Sequence, residues 1–232
     1  MAFLSFSKAQ YYEFSTCTDI SNIPLGSLTA YVNVTKNVSC SPYIINNVAS
    51  KSIPFMGIME GNGFTLSSFL FSTLTNCAGF FCYGIGATVR NLIFENITIY
   101  SPNGNAGALF GQCNSSCMIT NVKLMSSGPT NTNLYQCGGD YCGGIVGQLG
   151  TAVFAGDNST MSDCIVQNTF VNSTAGKVGG VAGENNGQMI NCHNLGFTNK
   201  PSNKVAVGSY AVGGQFFSGE ISNLKNFNSN SS

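Results

Sequence analysis

The sequence predicts an all-β chain wound as a single β-solenoid of roughly 30-residue coils, and three observations carry that prediction. First, a Gly-led apolar pentad recurs as GFFCY (79–83), GALFG (107–111), GGIVG (143–147), GGVAG (179–183) and GGQFF (213–217). The steps between them are 28, 36, 36 and 34 residues. Second, each pentad is followed, after a polar interval, by another shared segment: ATVRNLIF (87–94), CMITNVKL (117–124), TMSDCIV (160–166), QMINCHN (188–194) and EISNLKN (220–226). Third, the apolar runs are short and β-branched, with no 3.6-residue periodicity, so strands rather than helices make up the unit.

Stacking gives the columns of the repeat a physical meaning. Coils separated by the ~4.8 Å strand spacing bring equivalent residues directly above one another. Val89, Ile119, Met161, Met189 and Ile221 then form one apolar column, and Asn91, Asn121, Asp163, Asn191 and Asn223 form another two residues later. A stacked Asn column makes an amide ladder, each side chain donating to the next. Asp163 accepts but does not donate when ionised, so a break is expected there. The GxG sequences at 61–63 and 84–86 read as turns.

Composition restricts the function classes. The chain has 232 residues and only 8% charged, with 9 Lys plus Arg against 9 Asp plus Glu, while Gly and Asn each number 28. Ordinary domains carry about a quarter charged residues. Arg90 is the single arginine, which excludes the basic stripe that nucleic-acid binding requires. At 43% hydrophobic, the chain is folded rather than disordered. No apolar run approaches the ~20 residues of a membrane span. The first residues lack the basic region of a signal peptide, so a secreted chain would be represented here in its mature form.

The ten cysteines fall as Cys17, Cys40, Cys77, Cys82, Cys113, Cys117, Cys137, Cys142, Cys164 and Cys192. With His193 the only histidine, disulfides in an oxidising compartment explain them better than zinc. Cys164 and Cys192 each follow the ladder residue in adjacent repeats, so they are expected to pair. Cys77–Cys82, Cys113–Cys117 and Cys137–Cys142 read as local staples, and elimination joins Cys17 to Cys40. Seven Asn-x-Ser/Thr sequons, at Asn33, Asn37, Asn96, Asn114, Asn158, Asn172 and Asn230, make covalent N-glycans expected partners and suppliers of surface hydration.

The stretch IPFMGIMEGNGFTLSSF (53–69), with AGFF (78–81), ATVRNLIFENITI (87–99), AGALFGQ (106–112), GGIVGQL (143–149) and GGVAGEN (179–185), resembles the GLUG-repeat proteins. YYEFST (11–16) and YVNVTKNVS (31–39) match the strands that precede such repeats. The resemblance implies a right-handed parallel β-helix over 11–226 and an extracellular or cell-surface, adhesin-like scaffold. Residues 1–10 are then an extension and 227–232 a polar tail.

No cofactor, metal or enzymatic role is expected. Glycoside hydrolysis needs two carboxylates across one bond, and the acids are scattered one per coil. Asp140, Asp157 and Glu184 are the best remaining candidates, with Tyr135 or Tyr141 beside them, for an alternative role as a carbohydrate-binding or polysaccharide-cleaving β-helix. Arg90 and His193 lack partners in sequence. The leading expectation is a structural or adhesive unit whose surface also meets external glycans. Ala2, Phe3, Leu4 and Phe6 form an assembly strand that either caps its own chain or completes a neighbouring copy, giving a head-to-tail filament.

Overall fold

The structure is a computed structural model that describes residues 10–27, 30–41, 44–45, 48–74, 77–127, 133–151, 157–173, 177–199, 221–222 and 225–227. Among them the fold is all-β apart from one 3-10 turn at Cys17–Asn22, and every strand pairing is parallel. One large sheet holds 17 strands and two small sheets hold four each. Parallel pairs require a crossover between partners, and here the crossover is a whole repeat. Thr88–Glu95 pairs with Met118–Met125, which pairs in turn with Thr160–Ser162 and Ile165–Ser173.

The chain visits the same stations in the same order in each repeat. It runs along the large sheet and passes through one small sheet (Cys77–Ala78, Asn105–Ala106, Tyr141–Gly143, Lys177–Gly179). It then enters the other (Phe81–Ile85, Phe110–Asn114, Val146–Leu149, Ala182–Asn185). The core lies between the large sheet and the small ones. Val32, Met59, Val89, Ile119, Met161 and Met189 stack in register, all with 0% exposure. Phe80 contacts Phe14, Phe71 and Phe94 from the opposite side, and Phe81 is stacked between Phe55 and Phe110 at 4.1 and 5.5 Å. Each buried Phe contributes roughly 1.5–3 kcal/mol, and each aromatic pair about 0.5–1.5 more.

The Asn column is a bend as well as a ladder. Asn91, Asn121, Asp163 and Asn191 have φ between 51° and 57°, a left-handed conformation that Asn and Asp tolerate better than other L-residues. Asn121 Nδ2 donates to Asn91 Oδ1 at 2.9 Å, Asn91 Nδ2 to Glu60 Oε1 at 2.9 Å, and Asn191 Nδ2 to Asp163 Oδ1 at 3.1 Å. Among the described residues no hydrogen bond joins Asn121 to Asp163, because neither Asn121 Oδ1 nor the carboxylate can donate. Asn223 lies outside the described residues. A second bend runs through Ser68, Asn96 and Asn168, also at positive φ, so Asn96 turns the backbone as well as heading a sequon.

Two expectations are corrected. The pentad alignment slips in its first member: Phe110 pairs with Phe81 and Gln112 with Tyr83, so Cys82 rather than Tyr83 stands beside Gly111. Later repeats carry one extra residue before this strand, and the N–H groups of both Leu109 and Phe110 point at Ile145 O. Cys164 and Cys192, expected to pair, are both buried free thiols. They occupy equivalent positions of parallel coils, so their Cα–Cβ vectors run side by side. Their Cβ atoms therefore stay near the ~4.8 Å strand spacing, beyond the ~3.8 Å of a disulfide. Burial pushes the Cys164 thiol well up, and a hydrogen bond between the two thiols holds Cys192 low. Four disulfides are formed, Cys17–Cys40, Cys77–Cys82, Cys113–Cys117 and Cys137–Cys142.

Replacing Asn121 separates its two roles. Asn121→Ala loses the ladder bond and places a Cβ residue at positive φ, for a combined cost of about 2–3 kcal/mol in urea unfolding. Asn121→Gly loses the bond alone, for about 1 kcal/mol. Equal losses in the two variants would show that the left-handed backbone contributes nothing.

Candidate functional site

Asp140 and Glu184 both act on the Tyr141 phenol, while Asp157 bonds to a different set of groups. Asp157 is a backbone cap: its oxygens accept from the N–H groups of Ser115, Ser116, Thr151 and Ser159 at 3.0–3.2 Å and from Ser159 Oγ at 2.6 Å. Burial raises its pKa, but the Ser159 hydroxyl and these N–H groups outweigh that and leave it below the usual carboxylate value. Glu184 is 3% exposed, and its charge is balanced by Lys177 Nζ at 2.8 Å. Asp140 is exposed in the loop between Cys137 and Cys142, and its carboxylate makes no hydrogen bond among the described residues. Tyr135 is 2% exposed, its hydroxyl donating to Gly144 O at 2.7 Å, so it offers no surface to a ligand.

Glu184 closes a second ladder. Gln112 Nε2 donates to Gln148 Oε1 at 2.6 Å and Gln148 Nε2 to Glu184 Oε2 at 2.7 Å. The register Tyr83, Gln112, Gln148, Glu184 makes this a column of one small sheet. The signal was present in the sequence as the residue that follows GALFG, GGIVG and GGVAG. Beside it runs a column of the other small sheet, Cys77, Asn105, Tyr141, Lys177. The columns are joined at their far end, where Lys177 reaches Glu184 and lies 4.9 Å from the Tyr141 ring centre. Burial first, and then the charge of Glu184, pushes the Tyr141 phenol up to about 12.

Glycines let the two small sheets meet. A Cβ on Gly183 would lie 2.6 Å from Cys142 N and one on Gly111 2.5 Å from Cys77 Cβ. The first repeat has Cys82 in this column, and its side chain is bonded to Cys77. Next to that bridge the corner between the sheets opens into a cavity of about 540 Å³ bordered by Tyr83, Asn105, Gln112 and Asp140.

Arg90 is ion-paired with Glu60 and holds its guanidinium at the surface. His193 lies in the strand His193–Asn199 with its Nδ1 buried and without a hydrogen bond. Among the described residues no three His, Cys, Asp or Glu side chains form a metal-binding group.

The sequons divide by environment. Asn37 and Asn158 are exposed with Nδ2 free. Asn33 Nδ2 is bound to Tyr11 Oη at 2.8 Å and Asn96 Nδ2 to Ser127 Oγ at 2.9 Å. Asn114 stands apart at 8% exposure: with its amide turned to satisfy its neighbours, Oδ1 accepts from Tyr83 Oη at 2.8 Å and Nδ2 donates to Gly150 O and Cys113 O at 3.1 and 3.2 Å. A glycan on that nitrogen would break both of its bonds and leave buried carbonyls unpaired. Asn172 lies on a described strand, but its side chain and all of Asn230 fall outside the described residues. So do Ala2, Phe3, Leu4 and Phe6.

Comparison with protein-family models, curated proteins and solved structures gives no match.

In a secretory host that N-glycosylates, glycopeptide mass spectrometry is expected to find Asn37 and Asn158 occupied and Asn114 bare; full occupancy of Asn114 would contradict its buried pairing. Acid sensitivity tests Asp157. Its folded pKa lies below the unfolded value of about 3.9, so its stabilisation is complete above that value and fades as pH falls through the folded pKa. Asp157→Asn turns an amide toward backbone N–H donors and is expected to lose about 1–3 kcal/mol at pH 7 in urea unfolding. That deficit is expected to shrink once the pH falls below the folded pKa, where the wild-type carboxylate is itself protonated.

Proposed function

We propose that this chain is a non-enzymatic, extracellular right-handed parallel β-helix of the GLUG-repeat type, a structural or adhesive unit that assembles head-to-tail into a surface or secreted fibre. The observation that carries the proposal is the in-register parallel stacking of repeat on repeat. Gln10–Phe14 is paired along one edge, with Ala30–Val34, and among the described residues no strand covers its other edge. An uncovered edge of this kind is a template for strand addition, and contacts between unlike ends do not close on themselves.

Further support comes from how the acids are used. Asp19, Glu60, Asp157 and Glu184, four of the nine acids, each hold backbone or ladder bonds. The four disulfides suit an oxidising compartment. No helix among the described residues is long and apolar enough to cross a membrane. Glycans at the exposed Asn37 and Asn158 would hydrate a surface poor in charge.

Negative-stain electron microscopy over a range of protein concentrations tests the fibre reading. Filaments that grow with concentration and vanish on deleting residues 2–7 are expected. Monomers at every concentration, or filaments unaffected by the deletion, would overturn it.

A further inference from the structure

The cavity between the two small sheets has features of a binding site that the scaffold role does not require. Its volume, about 540 Å³, falls within the ~300–1,000 Å³ of small-molecule pockets. Most such pockets are lined by apolar side chains. This one is bordered mainly by amides, a carboxylate, hydroxyl and ammonium groups and backbone.

The cavity occupies the place between two columns that elsewhere are bridged. In the last described repeat Lys177 and Glu184 span the gap. At Asn105 and Gln112, two repeats earlier in those columns, no hydrogen bond or ion pair among the described residues spans it. Asn105 is 8% exposed, and its Oδ1 is held by the Tyr141 N–H at 3.0 Å. That bond fixes the amide and leaves Nδ2, which has no partner among the described residues, as a donor at the cavity wall. Gln112 commits Nε2 to Gln148 and keeps Oε1 as a free acceptor. Asp140 adds an unpaired carboxylate and Lys51 an ammonium, so the wall has no net charge.

The frame is stiff. The Cys77–Cys82 bridge forms one side of the cavity, and Cys137–Cys142 staples the loop that carries Gly138, Gly139 and Asp140. The hydroxyl of Tyr83 is tied to Asn114, which holds its ring at the wall. Fixed polar groups cost little ordering entropy when a ligand arrives, and an aromatic ring suits a ligand with an apolar face.

We infer that this cavity is a binding site for a neutral, hydroxyl-rich ligand, an oligosaccharide segment. Its hydroxyls accept from Asn105 Nδ2 and donate to Gln112 Oε1 and to the Asp140 carboxylate, bridging the two columns as Lys177 and Glu184 do farther along. A uronate or phosphorylated ligand is disfavoured, because a single Lys set against an Asp provides no net positive charge. The inference does not depend on filament formation.

Saturation-transfer NMR and calorimetry with the full chain and a panel of maltotriose, cellotriose, chitotriose and trigalacturonate provide the test. At least one neutral trisaccharide is expected to bind, and Asn105→Asp and Asp140→Ala are each expected to weaken it by about tenfold, the loss of one hydrogen bond to a fixed polar group. Lys36→Ala, on an exposed residue outside the cavity, leaves binding unchanged, and thermal melts confirm that each variant is folded. Three results would overturn the inference: no binding by any neutral member at about 10 mM, equivalent to less than ~3 kcal/mol; binding of trigalacturonate alone; or unchanged affinity in both cavity variants.

Discussion

The constraint on which the rest of this structure depends is the in-register parallel pairing of each repeat with the next. It sets one axial distance for every side chain in the chain. A residue type that gains from meeting its own kind at ~4.8 Å, such as an amide or a flat aromatic ring, is favoured in a column. One that does not, such as a like charge, is disfavoured. The shortage of charged residues follows partly from this: in a stack a repeated charge faces itself. Two ladders end on a carboxylate, the Asn ladder on Glu60 and the Gln ladder on Glu184 among the described residues.

The bends follow from the same rule. A coil must turn at the same point in each repeat, and a left-handed residue makes that turn without lengthening the chain. Asn serves this better than Gly here, because its amide bonds to the coil below while its backbone turns. Asp163 keeps the turn and half of the bonding. Glycine serves the corner between the small sheets, where Gly183 and Gly111 leave no room for a Cβ.

Disulfides reinforce what stacking cannot. Pairs across a turn, such as Cys77–Cys82 and Cys137–Cys142, tie different stations of the coil, where side chains converge. A pair within a column does not converge, and Cys164 with Cys192 remain neighbouring thiols. The two stapled corners frame a place where Asn105 and Gln112 leave the columns of the small sheets polar and unbridged among the described residues.

The sequence by itself determined the repeat, the all-β class, the apolar column from Val89 to Met189 and the Asn column beside it, because a periodic structure writes its period into residue type. The shared Gln112, Gln148 and Glu184 positions were also present there and were legible once aligned. Only the tertiary structure decided the one-residue slip at Cys82, the unbonded state of Cys164 and Cys192, the burial of the Asn114 sequon and the partners of Asp157 and Glu184. Those outcomes depend on the direction of a side chain relative to its neighbours across the stack. A linear pattern gives which residues share a column but not whether their side-chain vectors meet.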